Sequence, residues 1–384
     1  TTLFRSLFLT AACLGEDEKT LIGYTELRTN LPGGRHANVS TSRAMVVRVD
    51  GPGRRELAPR LAEEADTWTQ FAGWSPDGSL AIIGVGWQDP DNAAWEEQHK
   101  TFRMERGRWR YDSWLLDMAS GKLTNVTEVQ RVSHYNSVSF TPDGKQLLMT
   151  SLVDGTSKPY LMQLDGTQKR DVSGGAKGFT YGLSASPHGN RISYHENYQV
   201  YLANANGSDR QHVDTGHPFN FVPTWSPDGN WLLFVSGEHY DCHPHVVRAD
   251  GSGLRKIADR GGYRGVTEFL DVPDFHGGSS DLPVWAADGK SIFFTAKVET
   301  CVELFRVSLS GATTQLTSSA PETSHYHPKP SPDGCWLLYG SKRNGVRNIY
   351  VRNLASGAEQ QVTALSSGHA AMWPHWQPRA TVKR

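Results

Sequence analysis

The chain has 384 residues, a nearly balanced charge of 39 Lys and Arg against 40 Asp and Glu, and 12 tryptophans and 38 glycines. Balanced charge without a clustered basic face argues against a nucleic-acid partner, and no apolar run reaches the roughly 18 to 20 residues of a membrane-spanning helix. Abundant glycine and aromatic residues favour many short strands joined by tight turns.

The first residues, 1–19, precede the repeated part of the chain and are interpreted as an N-terminal arm. Their short apolar patch, which ends near Cys13, is compatible with a trimmed export signal and also with a first strand or an arm packed on the domain. The four cysteines of the chain form no Cys-x-x-Cys pair. We therefore expect no zinc-cysteine site.

One turn is written repeatedly along the rest of the chain. Its copies are Trp74-Ser-Pro-Asp77-Gly, Phe140-Thr-Pro-Asp143-Gly, Ala185-Ser-Pro-His188-Gly, Trp225-Ser-Pro-Asp228-Gly, Trp285-Ala-Ala-Asp288-Gly, Pro330-Ser-Pro-Asp333-Gly and the degenerate Trp376-Gln-Pro-Arg379-Ala. The intervals are 66, 45, 40, 60, 45 and 46 residues, and a period near 45 is typical of a four-stranded propeller blade. Proline presets the backbone and glycine accepts positive φ, so each copy predicts a hairpin corner.

A second hairpin accompanies each corner. These hairpins lie at 45–51, 115–121, 160–166, 200–207, 245–251, 304–311 and 349–357. Two hairpins per repeat predict an all-β, seven-bladed β-propeller of four-stranded blades, with residues 20–384 as its single domain. The N-terminal strands lack an inner strand that the Trp376 copy supplies, so we expect the ring to be closed by both termini. Such a ring has no free edges, and we expect a monomer.

Eleven of the fifteen histidines fall on the predicted face opposite the repeated turns. They are His99, His134, His195, His217, His239, His243, His245, His276, His325, His327 and His369. Since this face holds the variable loops, we expect its histidines to converge at one end of an axial channel. Two long insertions, 86–110 and 260–282, either wall a cleft there or cover neighbouring blades.

The stretch 322–327 has no counterpart in the other repeats. His325 and His327 are two residues apart at the beginning of an inner strand, so both imidazoles are expected on one side of it. Glu322 completes a set of one carboxylate and two imidazoles that suits Mn, Fe or Zn. The alternative is that these side chains bond one another at the channel mouth.

The turns and hairpins resemble the repeat of TolB-type propellers, over nearly the whole chain from about residue 20. That resemblance implies a fold and a periplasmic or secreted location, but no single function, because the repeat serves binding platforms, peptidases and sugar-cleaving enzymes. In addition, Glu322-x-x-His325-x-His327-Pro-x-x-x-Pro-Asp333 is similar to the metal-binding segment of oligogalacturonate lyases. In that family Gln, His and His, with one more histidine, hold manganese.

The second resemblance implies a metal-dependent lyase with a divalent ion, Mn first and Zn or Ca as alternatives. Glu322 stands where the family has Gln, and the expected fourth ligand is His276, with Asp281 as the alternative. His195 and Glu196 resemble a His-Glu stretch of those enzymes. Together with Glu238 and Asp281 they form the predicted substrate-binding set.

A lyase of this kind cleaves uronate-containing oligosaccharides by β-elimination, in which a base removes the proton α to the carboxylate. The family uses an arginine-like base. The candidate bases on the variable face are Arg264, His217, His239, His243 and Tyr240. The stretch 238–245, with three histidines and two acids, indicates a substrate cleft, a second metal site or a polar loop held by its own hydrogen bonds.

Two other functions are weighed against this one. The first is a non-catalytic, TolB-like platform whose channel mouth binds a protein or peptide. The second is a hydrolase propeller, which is not expected because the chain has no Gly-x-Ser-x-Gly elbow and uses its whole length for blades.

Overall fold

The structure, a computed structural model, describes residues 20–28, 42–99, 103, 107–127, 137–153, 156–238, 241–265 and 281–379. The predicted N-terminal arm lies outside this part of the chain, as do His239, Tyr240 and His276. The described residues form strands, one α-helix, α1, at Pro90–His99, and one short 3-10 helix at Pro59–Ala62. The predicted all-β class is confirmed.

The repeated turn is closed by its own side chains. In the first copy Ser75 donates its hydroxyl to Asp77 Oδ1 at 2.6 Å and accepts the backbone N–H of Leu80 at 2.9 Å. Gly78 has a φ of 72°, a left-handed conformation that favours glycine. The same hydroxyl-to-carboxylate bond joins Thr141 to Asp143, Ser226 to Asp228, and Ser331 to Asp333. These corners are therefore closed by bonds between residues that are close together in the sequence.

The strands follow these corners along the chain. They are β1 (Leu21–Arg28), β2 (Arg43–Arg48), β3 (Arg55–Glu56), β4 (Thr67–Trp74), β5 (Leu80–Gln88), β6 (Trp109–Asp117), β7 (Leu123–Asn125), β8 (Ser139–Phe140), β9 (Gln146–Val153), β10 (Thr156–Gln163), β11 (Arg170–Asp171), β12 (Thr180–Ala185), β13 (Arg191–Glu196) and β14 (Gln199–Asn204). They continue as β15 (Gln211–Val213), β16 (Phe219–Trp225), β17 (Trp231–Glu238), β18 (Asp241–Arg248), β19 (Arg255–Lys256), β20 (Val284–Trp285), β21 (Ser291–Val298), β22 (Cys301–Ser308), β23 (Thr313–Gln315), β24 (Ser324–Pro330), β25 (Trp336–Arg343), β26 (Val346–Asn353), β27 (Glu359–Gln361) and β28 (His369–Trp376).

Within the described residues the strands form four separate four-stranded antiparallel sheets, β4 to β7, β8 to β11, β12 to β15 and β16 to β19. The other strands form one twelve-stranded sheet with three antiparallel groups, β20 to β23, β24 to β27, and β28 with β1 to β3. One parallel residue pair joins each group to the next, Val302 with Ser324 and Arg347 with Ala370. Many four-stranded antiparallel sheets of this kind are consistent with a propeller.

The two ends of the described chain share a sheet. β1 pairs antiparallel with β28, from Ile22 opposite Trp376 to Arg28 opposite His369. On its other side β1 pairs with β2. The C-terminal strand therefore supplies the first strand of the N-terminal group. We call β4, β8, β12, β16, β20, β24 and β28 the first strands.

Apolar clusters fill the space between successive sheets or groups. Adjacent residues of a strand point to opposite faces, and so Ile292 and Phe293 of β21 belong to two different clusters. Seven clusters, each shared by two sheets or groups, contain the pairs Val46 and Ile83, Ile82 and Leu147, Leu148 and Ile192, Leu202 and Leu232, Leu233 and Ile292, Phe293 and Leu337, and Leu338 and Val47. The core is thus divided into small units in series.

Several first strands bend at an equivalent place. Gly182, Val222, His327 and Trp373 have φ values of 68°, 49°, 52° and 49°, and each lies six residues before the fourth residue of a turn copy. The pairing register shifts beside all of these points. A bulge of this kind interrupts the simple alternation of side chains along the strand.

The insertion at 86–110 extends β5 and β6 and carries α1 between them. Pro90 occupies the first turn of the helix, and Asp89 caps it by accepting the Asn92 N–H at 3.1 Å. Most of the other predicted insertion, residues 266–280, lies outside the described part of the chain.

Substitution of Gly23 tests the packing of the N-terminal group against the next sheet. A Cβ on Gly23 would lie 2.1 Å from Cζ of the buried Phe71. We expect Gly23→Val to lower the free energy of unfolding by about 1 to 3 kcal/mol, because the overpacked ring has no space to move into. Urea unfolding measures this change. The exposed Thr313→Val in β23 is the control, and equal stability of both variants would contradict this packing.

Candidate functional site

The two histidines of the predicted metal set have different neighbours. Both lie in β24, but the register with β25 shifts between Tyr326 and Lys329, and His327 has a φ of 52°. His325 contacts β25, whereas His327 stacks on Trp373 of β28 with ring centroids 5.7 Å apart. The bulge therefore separates two side chains that simple alternation places together.

His325 is fully buried in a hydrogen-bonded cluster. Its Nδ1 lies 2.9 Å from Ser341 Oγ, and its Nε2 lies 2.9 Å from Ser319 Oγ and 3.4 Å from Glu303 Oε2. Both ring nitrogens thus have protein partners. A metal ion at His325 would have to displace one of them.

Glu303 is the acidic member of this cluster and is 2% exposed. It accepts hydrogen bonds from the Thr317 hydroxyl at 2.5 Å and from the Ser319 N–H at 2.7 Å. Burial alone would raise the pKa of Glu303, but the bonds from His325, Thr317 and Ser319 outweigh it and lower the pKa to about 2. The carboxylate is ionised and holds β22 to the segment before β24.

His327 and Glu322 do not complete a metal-binding group. His327 Nδ1 accepts the Trp373 N–H at 3.3 Å, and Glu322 is exposed with a φ of 63°. No three His, Cys, Asp or Glu side chains come together as a metal site among the residues that the structure describes. A centre that includes His276 stays a prediction, because that residue lies outside the described chain.

Asp281, predicted to bind substrate, is fully buried and bonded to the protein. Its Oδ1 accepts the His327 N–H at 2.8 Å, and its Oδ2 accepts the Thr295 hydroxyl at 2.7 Å and the Tyr263 hydroxyl at 3.0 Å. The buried Arg260 guanidinium donates to its backbone carbonyl. Asp281 thereby joins the segment before β20 to β21 and β24.

The histidines predicted in and near β18 do lie together. The rings of His217 and His245 have centroids 5.5 Å apart, and the His245 ring donates from Nδ1 to the His243 carbonyl at 2.9 Å. His243 Nε2 lies 3.2 Å from Asp241 Oδ1. Glu238, at the end of β17, is exposed, as is Arg264. His239 and Tyr240, between these strands, lie outside the described residues.

The electrostatics of this group keep two imidazoles neutral. Burial, and to a lesser extent the nearby Lys256 ammonium, lowers the pKa of His243. Burial lowers the pKa of His245 to about 4. A neutral imidazole accepts a proton at the ring nitrogen that carries no hydrogen. In His243 that nitrogen, Nδ1, already accepts the Arg260 N–H at 3.2 Å, so proton transfer to His243 requires this bond to break.

His195 and Glu196 end β13 and have separate surroundings. His195 is buried at 3% exposure and lies near the rings of Tyr181 and Tyr198, with centroids 5.7 and 6.0 Å away. Glu196 accepts the Lys177 N–H at 2.8 Å and is paired with Arg210. Glu196 therefore holds a loop, whereas His195 belongs to a cavity wall.

That cavity has a volume of about 400 Å³ and lies among the first strands. Its lining combines the aromatic residues Phe179, Tyr181, Tyr198 and Phe221 with His195 and the hydroxyl residues Ser137, Ser139, Thr150, Ser184 and Thr224. Phe179 is 43% exposed and Tyr181 is 36% exposed, and these are the exposed large hydrophobic residues of the described chain. An aromatic wall opposite hydroxyl groups is suited to an organic ligand.

Sequence reasoning did not identify Phe179, Tyr181 or Glu303. Phe179 and Tyr181 flank Thr180 at the start of a first strand, where aromatic residues are ordinary core components. The one available signal was position, since they precede the Gly182 bulge on the predicted variable face. Glu303 carried no signal, because its partners are 14 to 22 residues further along the chain.

Across the described residues, no helix has the length and hydropathy that a membrane crossing needs.

No family model matches the chain. An uncharacterized protein from Agrobacterium fabrum, Atu1656, is 26% identical over 187 residues, and this alignment covers 41% of the chain and 62% of that protein. The chain thus spans less than two thirds of the length of this curated relative.

Solved structures of similar shape include a puromycin hydrolase mutant, with a TM-score of 0.59, 13% identity and coverage of 91% of this chain and 53% of that chain. An oligogalacturonate lyase in complex with manganese has a TM-score of 0.57 and 14% identity, and covers 92% of this chain and 89% of its own. TolB from Acinetobacter baumannii has a TM-score of 0.45 and 14% identity, with 82% of both chains covered.

These likenesses concern the fold. The predicted resemblance to TolB-type propellers and oligogalacturonate lyases is confirmed at that level, with the lyase match as its support. Identities this low do not transfer a substrate, a metal or a catalytic residue.

The lowered pKa of His245 predicts a pH dependence of stability. An unfolded histidine titrates near 6.5, whereas burial lowers the pKa of His245 to about 4. Between these values the unfolded chain binds a proton that the folded chain does not, so the free energy of unfolding falls as the pH is lowered from about 6.5 to about 4. We expect His245→Gln to lose less stability than the wild type between about pH 7 and about pH 5.

Urea unfolding at both pH values measures the difference. His212→Gln replaces an exposed histidine of β15 and is the control. An identical pH response of His245→Gln and the wild type would show that His245 does not titrate across this window.

Proposed function

We propose that the protein is a closed seven-bladed propeller that binds an acidic oligosaccharide at one mouth of its axial channel. The cavity lined by Phe179, Tyr181 and the hydroxyl residues carries this proposal. Sugar rings pack their apolar C–H faces on aromatic side chains, and their hydroxyl groups bond to serine and threonine.

The pairing and packing of the sheets support the proposal of a closed ring. The four separate sheets and the three groups of the twelve-stranded sheet are seven four-stranded units, each able to form one blade. Seven apolar clusters join them in succession, and the cluster with Leu338 and Val47 joins the last unit to the terminal one. The β1–β28 pairing supports closure by both termini. A closed ring leaves the first strands around a common axis.

The location and the oligomeric state stay predictions. A periplasmic or secreted monomer agrees with the sequence resemblance and with a ring that has no free sheet edges.

Removal of an exposed aromatic ring tests the binding site. We expect Phe179→Ala to weaken the binding of a short oligogalacturonate by roughly 2- to 10-fold, because an aromatic contact contributes about 0.5 to 1.5 kcal/mol. Isothermal titration calorimetry measures the affinity. Thr314→Ala, an exposed change in β23, is the control. Unchanged affinity of Phe179→Ala would exclude the aromatic wall, and no binding of any acidic sugar by the wild type would favour a protein or peptide ligand.

The imidazoles that lie together near β18 favour a second candidate, the cleavage of that oligosaccharide by β-elimination. A base removes the proton α to the uronate carboxylate, the released electron pair forms a carbon–carbon double bond, and the bond to the leaving sugar oxygen breaks as that oxygen gains a proton. His243 and His217 are the described imidazoles that we propose for proton removal. Arg264, His239 and Tyr240 stay candidates, and so does the predicted divalent ion.

Product absorbance tests this reaction. We expect ultraviolet absorbance from the unsaturated sugar to rise when the protein is mixed with oligogalacturonate, and His243→Gln to slow the rise by roughly 100-fold or more, the contribution of a general base. The assay is repeated after chelator treatment and after the addition of manganese. His212→Gln is the control for a histidine outside this group. No absorbance with any uronate substrate, with or without metal, would leave binding as the function.

A further inference from the structure

Two basic residues occupy equivalent positions of two first strands, Lys329 of β24 and His375 of β28. Each lies four residues before the fourth residue of its turn copy. At the same position the other first strands carry the uncharged residues Gly73, Ser139, Ser184, Thr224 and Val284. Ser139, Ser184 and Thr224 line the cavity that contains Phe179 and Tyr181. In the proposed ring, the position that these residues share with Lys329 and His375 therefore faces the axis. The charge is therefore confined to one side of the channel.

The backbone around both residues is held by indole and backbone donors. Trp376 Nε1 donates to the Lys329 carbonyl at 3.0 Å, and Trp74 Nε1 donates to the His375 carbonyl at 3.3 Å. Two residues before Lys329 in β24, His327 accepts at Nδ1 the backbone N–H of Trp373 at 3.3 Å. These bonds tie β24, β28 and β4 together, so the basic side chains extend from a fixed framework.

Lys329 is half-buried, and its ammonium has no hydrogen bond and no carboxylate within ion-pair distance among the described residues. Burial lowers the pKa of Lys329, and the nearby Asp281 carboxylate opposes this shift. However, the Asp281 oxygens already accept bonds from His327, Thr295 and Tyr263. A half-buried charge without a direct partner is costly. A bound anion would provide that partner.

His375 is a neutral neighbour of this charge. Burial, followed by the charge of Lys329, lowers the pKa of His375 to about 3. Its imidazole contacts Phe71, with ring centroids 5.7 Å apart, and is half-buried. A neutral imidazole has one N–H to donate, and it adds no second positive charge.

We propose that Lys329, with His375 beside it, binds the carboxylate of an acidic ligand inside the axial channel. This inference rests on the proposed function and names the group that recognises the acidic sugar. The ammonium supplies a charge-assisted hydrogen bond to the carboxylate. The hydroxyl-lined positions across the axis, Ser184 and Thr224, face the rest of the sugar. Selectivity for an acid over a neutral sugar then depends on one lysine.

Paired ligands test the site with the full chain. Galacturonate and its neutral methyl ester are titrated into the wild type, Lys329→Met and Lys329→Arg. We expect the wild type to bind the acid roughly tenfold or more tightly than the ester, Lys329→Met to lose that preference, and Lys329→Arg to keep most of it. Lys145→Met removes a lysine whose side chain is 81% exposed, and it is the control that keeps the preference. Retention of the preference by Lys329→Met overturns the proposal.

Two further measurements separate this inference from the proposed function. If no sugar binds to the wild type, acetate and inorganic phosphate are titrated instead. Binding of these anions that Lys329→Met abolishes supports the anion site while the oligosaccharide function fails, and no binding of any anion overturns both. If Lys329→Met does not fold, acylation of the wild type is mapped by peptide analysis. Protection of Lys329 by the bound anion supports the site, and labelling that the anion leaves unchanged overturns it.

Discussion

The alternation of apolar side chains along the second strand of each sheet is the constraint on which the rest of the structure depends. Ile82 and Ile83 of β5 face two different neighbours, as do Leu337 and Leu338 of β25. Each buried aliphatic side chain contributes about 1.5 to 3 kcal/mol relative to exposure. No sheet buries both of its faces alone. Every sheet therefore needs a neighbour on each side, and that requirement brings the two ends of the chain into one group.

The first strands differ from the second strands in their backbone geometry. Their bulges, as at Gly182 and His327, interrupt the regular alternation. Polar residues thereby reach positions that a regular strand would fill with core side chains. Some are bonded within the protein, as His325 is. Others, such as the ammonium of Lys329, have no direct side-chain partner in the described chain, and for these we propose a role in ligand recognition.

The acidic and imidazole side chains thus form two classes, those that are hydrogen-bonded within the protein and those that are available to a ligand. Glu303, Asp281 and Glu196 each accept several hydrogen bonds and join segments distant in sequence. Their carboxylates therefore stabilise the fold. The cavity with Phe179 and the imidazoles near β18 are separate groups of side chains. The proposed binding of an acidic sugar therefore depends on one of them and the proposed cleavage on the other.

The sequence by itself determined the all-β class and the corners, because a turn such as Ser75 to Gly78 is closed by residues within five positions of one another. It also placed His217, His243 and His245 among the eleven histidines expected on one face, and the structure brings these three together. The partners of His325 and Asp281 were decided by the tertiary structure alone, since Glu303, Ser341 and Tyr263 come from other strands and segments. The bulge at His327 separated its imidazole from that of His325. Alternation along a strand predicts to which face of the sheet a side chain points. Only the packing of the sheets decides which side chains from other strands it meets on that face.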